Sequence, residues 1–251
     1  MMDGFVNAEV VDGICTVTFS HPASNSLPGE ILAKLAKTIH SAGVDLDTRV
    51  IVLQSSGERA FCAGASFDEL LALKNETEGL EFFSGFANVI NAIRTCPKFI
   101  IGRVQGKAVG GGVGLAAAVD HCFATQHASV KLSELAIGIG PFVVGPAIER
   151  KVGTSGFSQL SIDATSWKAA SWAAQYGLYA EVFESTEEMD VAVHRLATQL
   201  ASSSPEAMKE LKKVLWKGTD DWDNKLKALA QISGRLILGD FSKEAINSFK
   251  K

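Results

Sequence analysis

Two segments of this chain carry residues that could offer backbone donors to a ligand. The first is Glu58-Arg-Ala-Phe-Cys-Ala-Gly-Ala-Ser66 and the second is Val109-Gly-Gly-Gly-Val-Gly-Leu115. Each lies where an apolar run gives way to a helical pattern. Small residues let a ligand atom approach the main chain closely, and the first N–H groups of a helix have no intrahelical acceptor. Two such donors converging on one carbonyl oxygen would stabilise an oxyanion or enolate. The same glycines also suit tight packing of a helix on a strand, and the sequence leaves both readings open. A phosphate cradle is disfavoured, because no Gly-Lys-Ser/Thr follows and the Gly-x-Gly-x-x-Gly spacing is missing.

The candidate proton carrier is Glu134, in Leu132-Ser-Glu-Leu-Ala-Ile-Gly-Ile-Gly-Pro141. It follows an apolar strand and has apolar neighbours. Burial would raise its pKa and make it a better proton shuttle near neutral pH. The alternative is an acid that caps a turn. Asp68 and Glu69 read as acids of a first helical turn, favourable for the macrodipole. The histidines show no metal-site spacing. Phe82, Phe83 and Phe86 either line a pocket or pack a core.

The elements that must position these residues follow from patterning. Phe5–Val11 and Ile14–Phe19 read as strands joined by Asp12-Gly13, a two-residue hairpin signal. Residues 27–42 have helical periodicity, with Ile31, Leu32, Leu35 and Ile39 on one face. Residues 49–54 and 99–104 are short apolar runs expected as buried strands, and 55–66 reads as a small-residue loop. Further helices are expected at 67–73, 78–95 and 115–118, with strands at 121–124 and 129–132. Strands alternating with helices from about residue 49 to 132 predict crossover units and a mainly parallel sheet. From residue 143 the chain reads as mostly helical, with a strand near 180–183 and a helix starting at Ser204-Pro205-Glu206.

The 251 residues are 47% hydrophobic and 21% charged, enough for a sizeable core. With a net charge of −4 and no Lys/Arg block, nucleic acid is not an expected partner. The four cysteines are isolated, which argues against zinc and fits a reducing compartment. No signal-peptide pattern and no membrane-length apolar run is visible, so a cytoplasmic protein without membrane association is expected.

In this order, His21-Pro-Ala-Ser-Asn-Ser-Leu27, residues 60–65, Gly110–Gly112 and Ser133–Gly138 resemble the crotonase (enoyl-CoA hydratase/isomerase) superfamily over nearly the whole chain. The resemblance implies an α/β spiral of ββα turns with a helical C-terminal trimerisation region, divided here at 1–195 and 196–251. It implies a homotrimer or dimer of trimers, acyl-CoA thioester substrates, and no metal or cofactor beyond the substrate's CoA. It carries the oxyanion donors to the N–H groups of Ala63 and Gly111, CoA contacts to Asn25, Ser26, Leu27 and Ala65, and the catalytic acid to Glu134. A second glutamate, which the family's hydratases use to hold water, falls on Gly114. The remaining one-glutamate arrangement, with Gly138-Ile-Gly-Pro-Phe142 after it, is similar to that of Δ3,Δ2-enoyl-CoA isomerases. Double-bond isomerisation is therefore the favoured expectation. A hydratase with a non-standard second acid, such as Asp68 or Glu69, and an inactive acyl-CoA-binding protein are the alternatives.

Overall fold

The structure, a computed structural model, describes residues 4–249. Strands β1 (Phe5–Val11) and β2 (Ile14–Ser20) form the expected antiparallel hairpin. Asp12 at φ 50° and Gly13 at φ 80° make its turn. Two consecutive positive φ values give the turn whose twist matches that of paired strands. Helix α1 (Gly29–Val44) buries Ile31, Leu32, Leu35 and Ile39, the face that the periodicity predicts.

Beyond the hairpin the chain winds in repeated turns. β3 (Val50–Ser55), β5 (Ile100–Val104) and β7 (His121–Thr125) pair in parallel within a six-stranded sheet of order β1-β2-β3-β5-β7-β9, where β9 is Glu181–Phe183. β4 (Ala60–Cys62), β6 (Lys107–Val109) and β8 (Val130–Lys131) form a second parallel sheet of three strands. Each turn thus contributes one strand to each sheet and then a helical element. Helices α2 (Phe67–Ala72) and α3 (Glu76–Thr95) follow β4, and α4 (Gly111–Ala118) follows β6. A 3-10 turn (Leu135–Ile137) and α5 (Gly145–Ile162) follow β8. This is the spiral of ββα turns. The loop expected at 55–66 is corrected in part: its Ala60–Cys62 segment is a strand.

After α6 (Ala170–Gln175), α7 (Thr186–Ala201) covers one face of the large sheet, packing Met189, Ala192, Val193 and Ala197 near Val50, Val52, Ile101 and Phe123. The last helices are α8 (Pro205–Leu215), α9 (Trp222–Leu236) and α10 (Asp240–Phe249). Leu226, Ala230 and Ile246 join the same core cluster as Leu35, Ile90 and Ile100. Helix α9 meets α3 where two glycines touch: a Cβ on Gly79 would lie 2.6 Å from the Gly234 carbonyl oxygen. The terminal helices therefore share the core of the spiral. The expected division after residue 195 falls inside α7, and a short loop at 202–204 separates α7 from α8. Residues 1–3 and 250–251 of the two expected regions lie outside the described residues. No described helix is long and apolar enough to cross a membrane.

Candidate active site

The three segments singled out for chemistry leave the C-terminal ends of three neighbouring parallel strands. β4 runs into Ala63-Gly64-Ala65, β6 into Gly110-Gly111, and β8 into Ser133-Glu134. Parallel strands end at one edge of their sheet, which is where open α/β sheets bind ligands. All three segments line a single cavity of about 50 Å³, walled by Phe67 and Leu70 of α2, Phe83 and Phe86 of α3, and Ile139, Phe142, Val143 and Val144 before α5. Ser233 of α9 also lines it, so a C-terminal helix helps to build the site.

Glu134 is the one ionisable side chain among the lining residues. Its backbone is fixed: the carbonyl accepts from Ile137 N–H at 3.1 Å and Ile139 N–H at 3.0 Å. Its Oε2 is buried with no hydrogen-bond partner. Burial pushes the carboxyl pKa up from 4.5 to about 7. A buried carboxylate oxygen without a partner costs stability, which points to chemistry rather than to the fold.

Two glycines set the geometry around it. Gly110, at φ 51° and ψ −113°, precedes α4, and a Cβ there would lie 2.8 Å from Glu134 Oε1. Gly64, at φ 87°, would bring a Cβ to 2.9 Å from the Val109 oxygen and 3.5 Å from Gly111 N. Only glycine combines these dihedrals with such close approach. The two small-residue segments are therefore in contact. Gly111 opens α4, so its N–H lacks an intrahelical acceptor.

The expected partner of Gly111 needs correction. Ala63 lines the cavity, but its N–H donates to the Ser24 carbonyl at 3.1 Å. Gly64 N–H points to Cys62 Sγ at 3.4 Å. Leu27 N–H donates to the Gly64 carbonyl at 2.8 Å, forming a bridge between Leu27 and Ala65. Alternation along a strand then turns the N–H of Ala65 away from Leu27.

The loop before α1, from which CoA contacts are expected, stands behind the cavity wall. Asn25, Ser26 and Leu27 are buried and none lines the cavity. Asn25 Nδ2 donates to the carbonyls of Ser56 (2.8 Å) and Ala60 (2.9 Å), while its Oδ1 accepts from His21 N–H (2.9 Å). Ser26 Oγ meets His21 Nδ1 at 3.2 Å. These side chains brace the 60–65 segment. Ala65 does line the cavity.

Neither acid of α2 reaches the site. Glu69 Oε2 accepts from Gly29 N–H at 2.8 Å, and exposed Asp68 is not among the lining residues. Gly114 is buried, and Val144 stands where its side chain would be. Phe142 belongs to the Gly138-Ile-Gly-Pro-Phe142 segment, and Phe83 and Phe86 are two of the phenylalanines expected to line a pocket or pack a core. Val144 and Ser233 had no local signal, since nothing in a single sequence ties them to residues so far along the chain.

Comparison with known proteins shows the family. The enoyl-CoA hydratase/isomerase family model matches residues 9–250. A probable enoyl-CoA hydratase of Bacillus subtilis (strain 168) is 28% identical over 238 residues, covering 94% of this chain and 92% of the relative. A short-chain-enoyl-CoA hydratase of Clostridium acetobutylicum is 29% identical over 239 residues, covering 94% and 90%. The crystal structure of enoyl-CoA hydratase from Bacillus halodurans superposes with a TM-score of 0.89 at 21% identity, covering 97% of this chain and 99% of that one, and so shares the fold. With its spiral fold, its paired small-residue segments and its cavity glutamate, the chain belongs to the enoyl-CoA hydratase/isomerase family and is an acyl-CoA enzyme of that type.

Proposed function

We propose that this enzyme moves a carbon–carbon double bond of an enoyl-CoA thioester in preference to adding water across it. The observation that carries the reading is Glu134 Oε2, unpartnered and facing no second lining carboxylate. In a 3-enoyl thioester, ionised Glu134 takes a proton from C2. The C2–H electron pair moves into the thioester carbonyl and leaves a dienolate. The same carboxyl returns the proton at C4, and the product is the conjugated 2-enoyl thioester. One shuttling group is enough, because one proton leaves and one is restored. A carboxyl with a pKa of about 7 is suited to both halves near neutral pH.

The dienolate oxygen needs two donors. Gly111 N–H supplies one in this reading. With Ala63 N–H already bonded to Ser24, Ala65 N–H takes the second place. The cavity's phenylalanines and valines exclude water and strengthen these interactions. The resemblance further leads us to infer a homotrimer or dimer of trimers, checked by light scattering.

The names of the relatives favour hydration as a second reading. Glu134 would then orient and deprotonate water alone, because Glu69 is bonded to Gly29. The purified enzyme decides between the two when supplied separately with 3-enoyl-CoA and 2-enoyl-CoA. Formation of the conjugated thioester is followed by absorbance, and water addition by mass. Migration faster than hydration is expected. Rapid hydration of 2-enoyl-CoA with 3-enoyl-CoA untouched overturns the isomerase reading, and inertness toward both favours a binding protein.

A further inference from the structure

We propose that Val144 is a specificity-determining residue that keeps water addition out of this cavity, by filling the space that a side chain from position 114 would need. The inference rests on the reading of Glu134 as sole proton carrier. Helix α4 is buried along its whole length, Gly111–Ala118. Gly114 lies three residues after Gly111, on the same helical face. Gly111 lines the cavity, and Gly114 does not. Val144 lies between: it lines the cavity and is 4% exposed. A Cβ added to Gly114 would lie 2.7 Å from Val144 Cβ and closer still to Cγ1.

Val144 has little freedom to withdraw. It caps α5, at φ −84° and ψ −20°, and its carbonyl accepts from Ile148 N–H at 3.1 Å. Val and Ile side chains are also stiff at χ1. An acid or amide at position 114 is thus excluded by shape as well as by sequence.

The chemistry makes this exclusion consequential. Adding water across a 2-enoyl thioester requires an ordered water oxygen at C3 and a proton delivered to C2. That water needs at least two polar partners. Besides Glu134, the lining residues offer hydroxyls only from Ser133 and Ser233. The methyl groups of Val144 occupy the approach from α4, the route by which a second carboxylate would enter. Proton transfer by Glu134 alone needs no such water.

The test compares wild type, Gly114→Glu, Val144→Ala and the double variant, reading Tm and the ratio of water addition to double-bond migration. Gly114→Glu alone is expected to lower Tm by about 5 °C or more through overpacking, and to leave the ratio unchanged. Val144→Ala alone supplies no second carboxylate, but it opens room for a water shared by Glu134 and a lining serine hydroxyl, and it is expected to raise the ratio several-fold. The double variant is expected to regain Tm and to raise the ratio by roughly tenfold or more. A merely structural valine would move Tm without moving the ratio, and that result overturns the proposal. So does Gly114→Glu folding at the wild-type Tm and hydrating on its own. Where the double variant fails to fold, Val144→Ala decides, and an unchanged ratio again overturns the proposal. Rapid hydration by wild type overturns this proposal and the isomerase reading together. Slow wild-type hydration with an unmoved ratio overturns the Val144 assignment alone. Should wild type turn over neither substrate, the isomerase reading falls. Hydration gained in the double variant would then support the Val144 assignment, and no gain would overturn it.

Discussion

Asp120 and Glu134 are both drawn in from water, and the surrounding protein treats them in opposite ways. Asp120, between α4 and β7, is saturated. Its Oδ2 accepts from Ile100 N–H and Lys212 Nζ, each at 2.8 Å, and its Oδ1 accepts from Trp216 Nε1 at 2.9 Å. The side chains of Asp120 and Lys212 are 5% and 3% exposed. Lys212 also donates to the Lys98 carbonyl at 2.8 Å, so the cluster ties α8 to the start of β5 and the end of α4. Glu134 Oε2 has no such partner. Burial alone therefore does not mark a functional carboxylate here. The missing partner does, because an acid held for the fold's benefit is surrounded by donors.

The largest effect that could break this contrast is on rate. Glu134→Gln keeps the shape and removes the base. Turnover should fall by about 10²–10⁴-fold, with Tm equal to or above wild type. Activity within a few-fold of wild type would rule Glu134 out as proton carrier. Asp120→Asn should do the reverse. It leaves Lys212 buried without its counter-charge, at a cost of about 3–5 kcal/mol in urea unfolding. Turnover per folded molecule should stay near wild type. If Asp120→Asn instead abolished turnover in well-folded protein, the division between structural and chemical carboxylates would be wrong.

These two residues differed in how visible they were in the sequence. Glu134 was visible because an apolar strand and a glycine-rich turn flank it. Asp120 was not, since its partners Lys212 and Trp216 lie within and just after a distant helix. The same physics separates the legible from the illegible elsewhere. Asp12-Gly13 specified its hairpin locally, and the strands of the large sheet showed as apolar runs. Residues 60–62 and 107–109 are too short to show a period, and they became strands only by pairing in the second sheet. The direction of a backbone N–H is less legible still. Ala63 loses its donor to Ser24, a residue at φ 54°, and no composition or spacing announces that bond. The apposition of Gly114 and Val144 likewise exists only once α4 and α5 have packed.

A smaller perturbation sharpens the Asp120 side. Trp216→Phe keeps the ring against Trp222 and deletes the N–H that Asp120 Oδ1 receives. One hydrogen bond to a charged group is lost, so roughly 1.5–3 kcal/mol should disappear from urea unfolding without change in turnover. A larger loss than for Asp120→Asn would mean that Trp216 acts through packing rather than through the carboxylate.

The smallest effect is a pH dependence, and it joins activity to stability at one group. Glu134 titrates near 7 when folded, against 4.5 for the unperturbed side chain. Below pH 4.5 the carboxyl is protonated in both states, and the stability that goes with its neutral form is fully present. Between 4.5 and 7 the folded chain holds more protons than the unfolded chain, so unfolding free energy falls as pH rises, and the loss is complete above about 7. Water screens part of this, because Glu134 is partly exposed along its length. The expected Tm difference between wild type and Glu134→Gln is therefore a few degrees, about 2–4 °C, larger at pH 8 than at pH 5 and in favour of the glutamine variant. The rate should respond in the opposite sense, with kcat/KM rising through the same midpoint as the base ionises. Asp120→Asn should keep both dependences. A Tm difference that stays constant from pH 5 to 8 would mean that burial does not hold the Glu134 carboxyl above its ordinary pKa, and the contrast with Asp120 would fail on its chemical side.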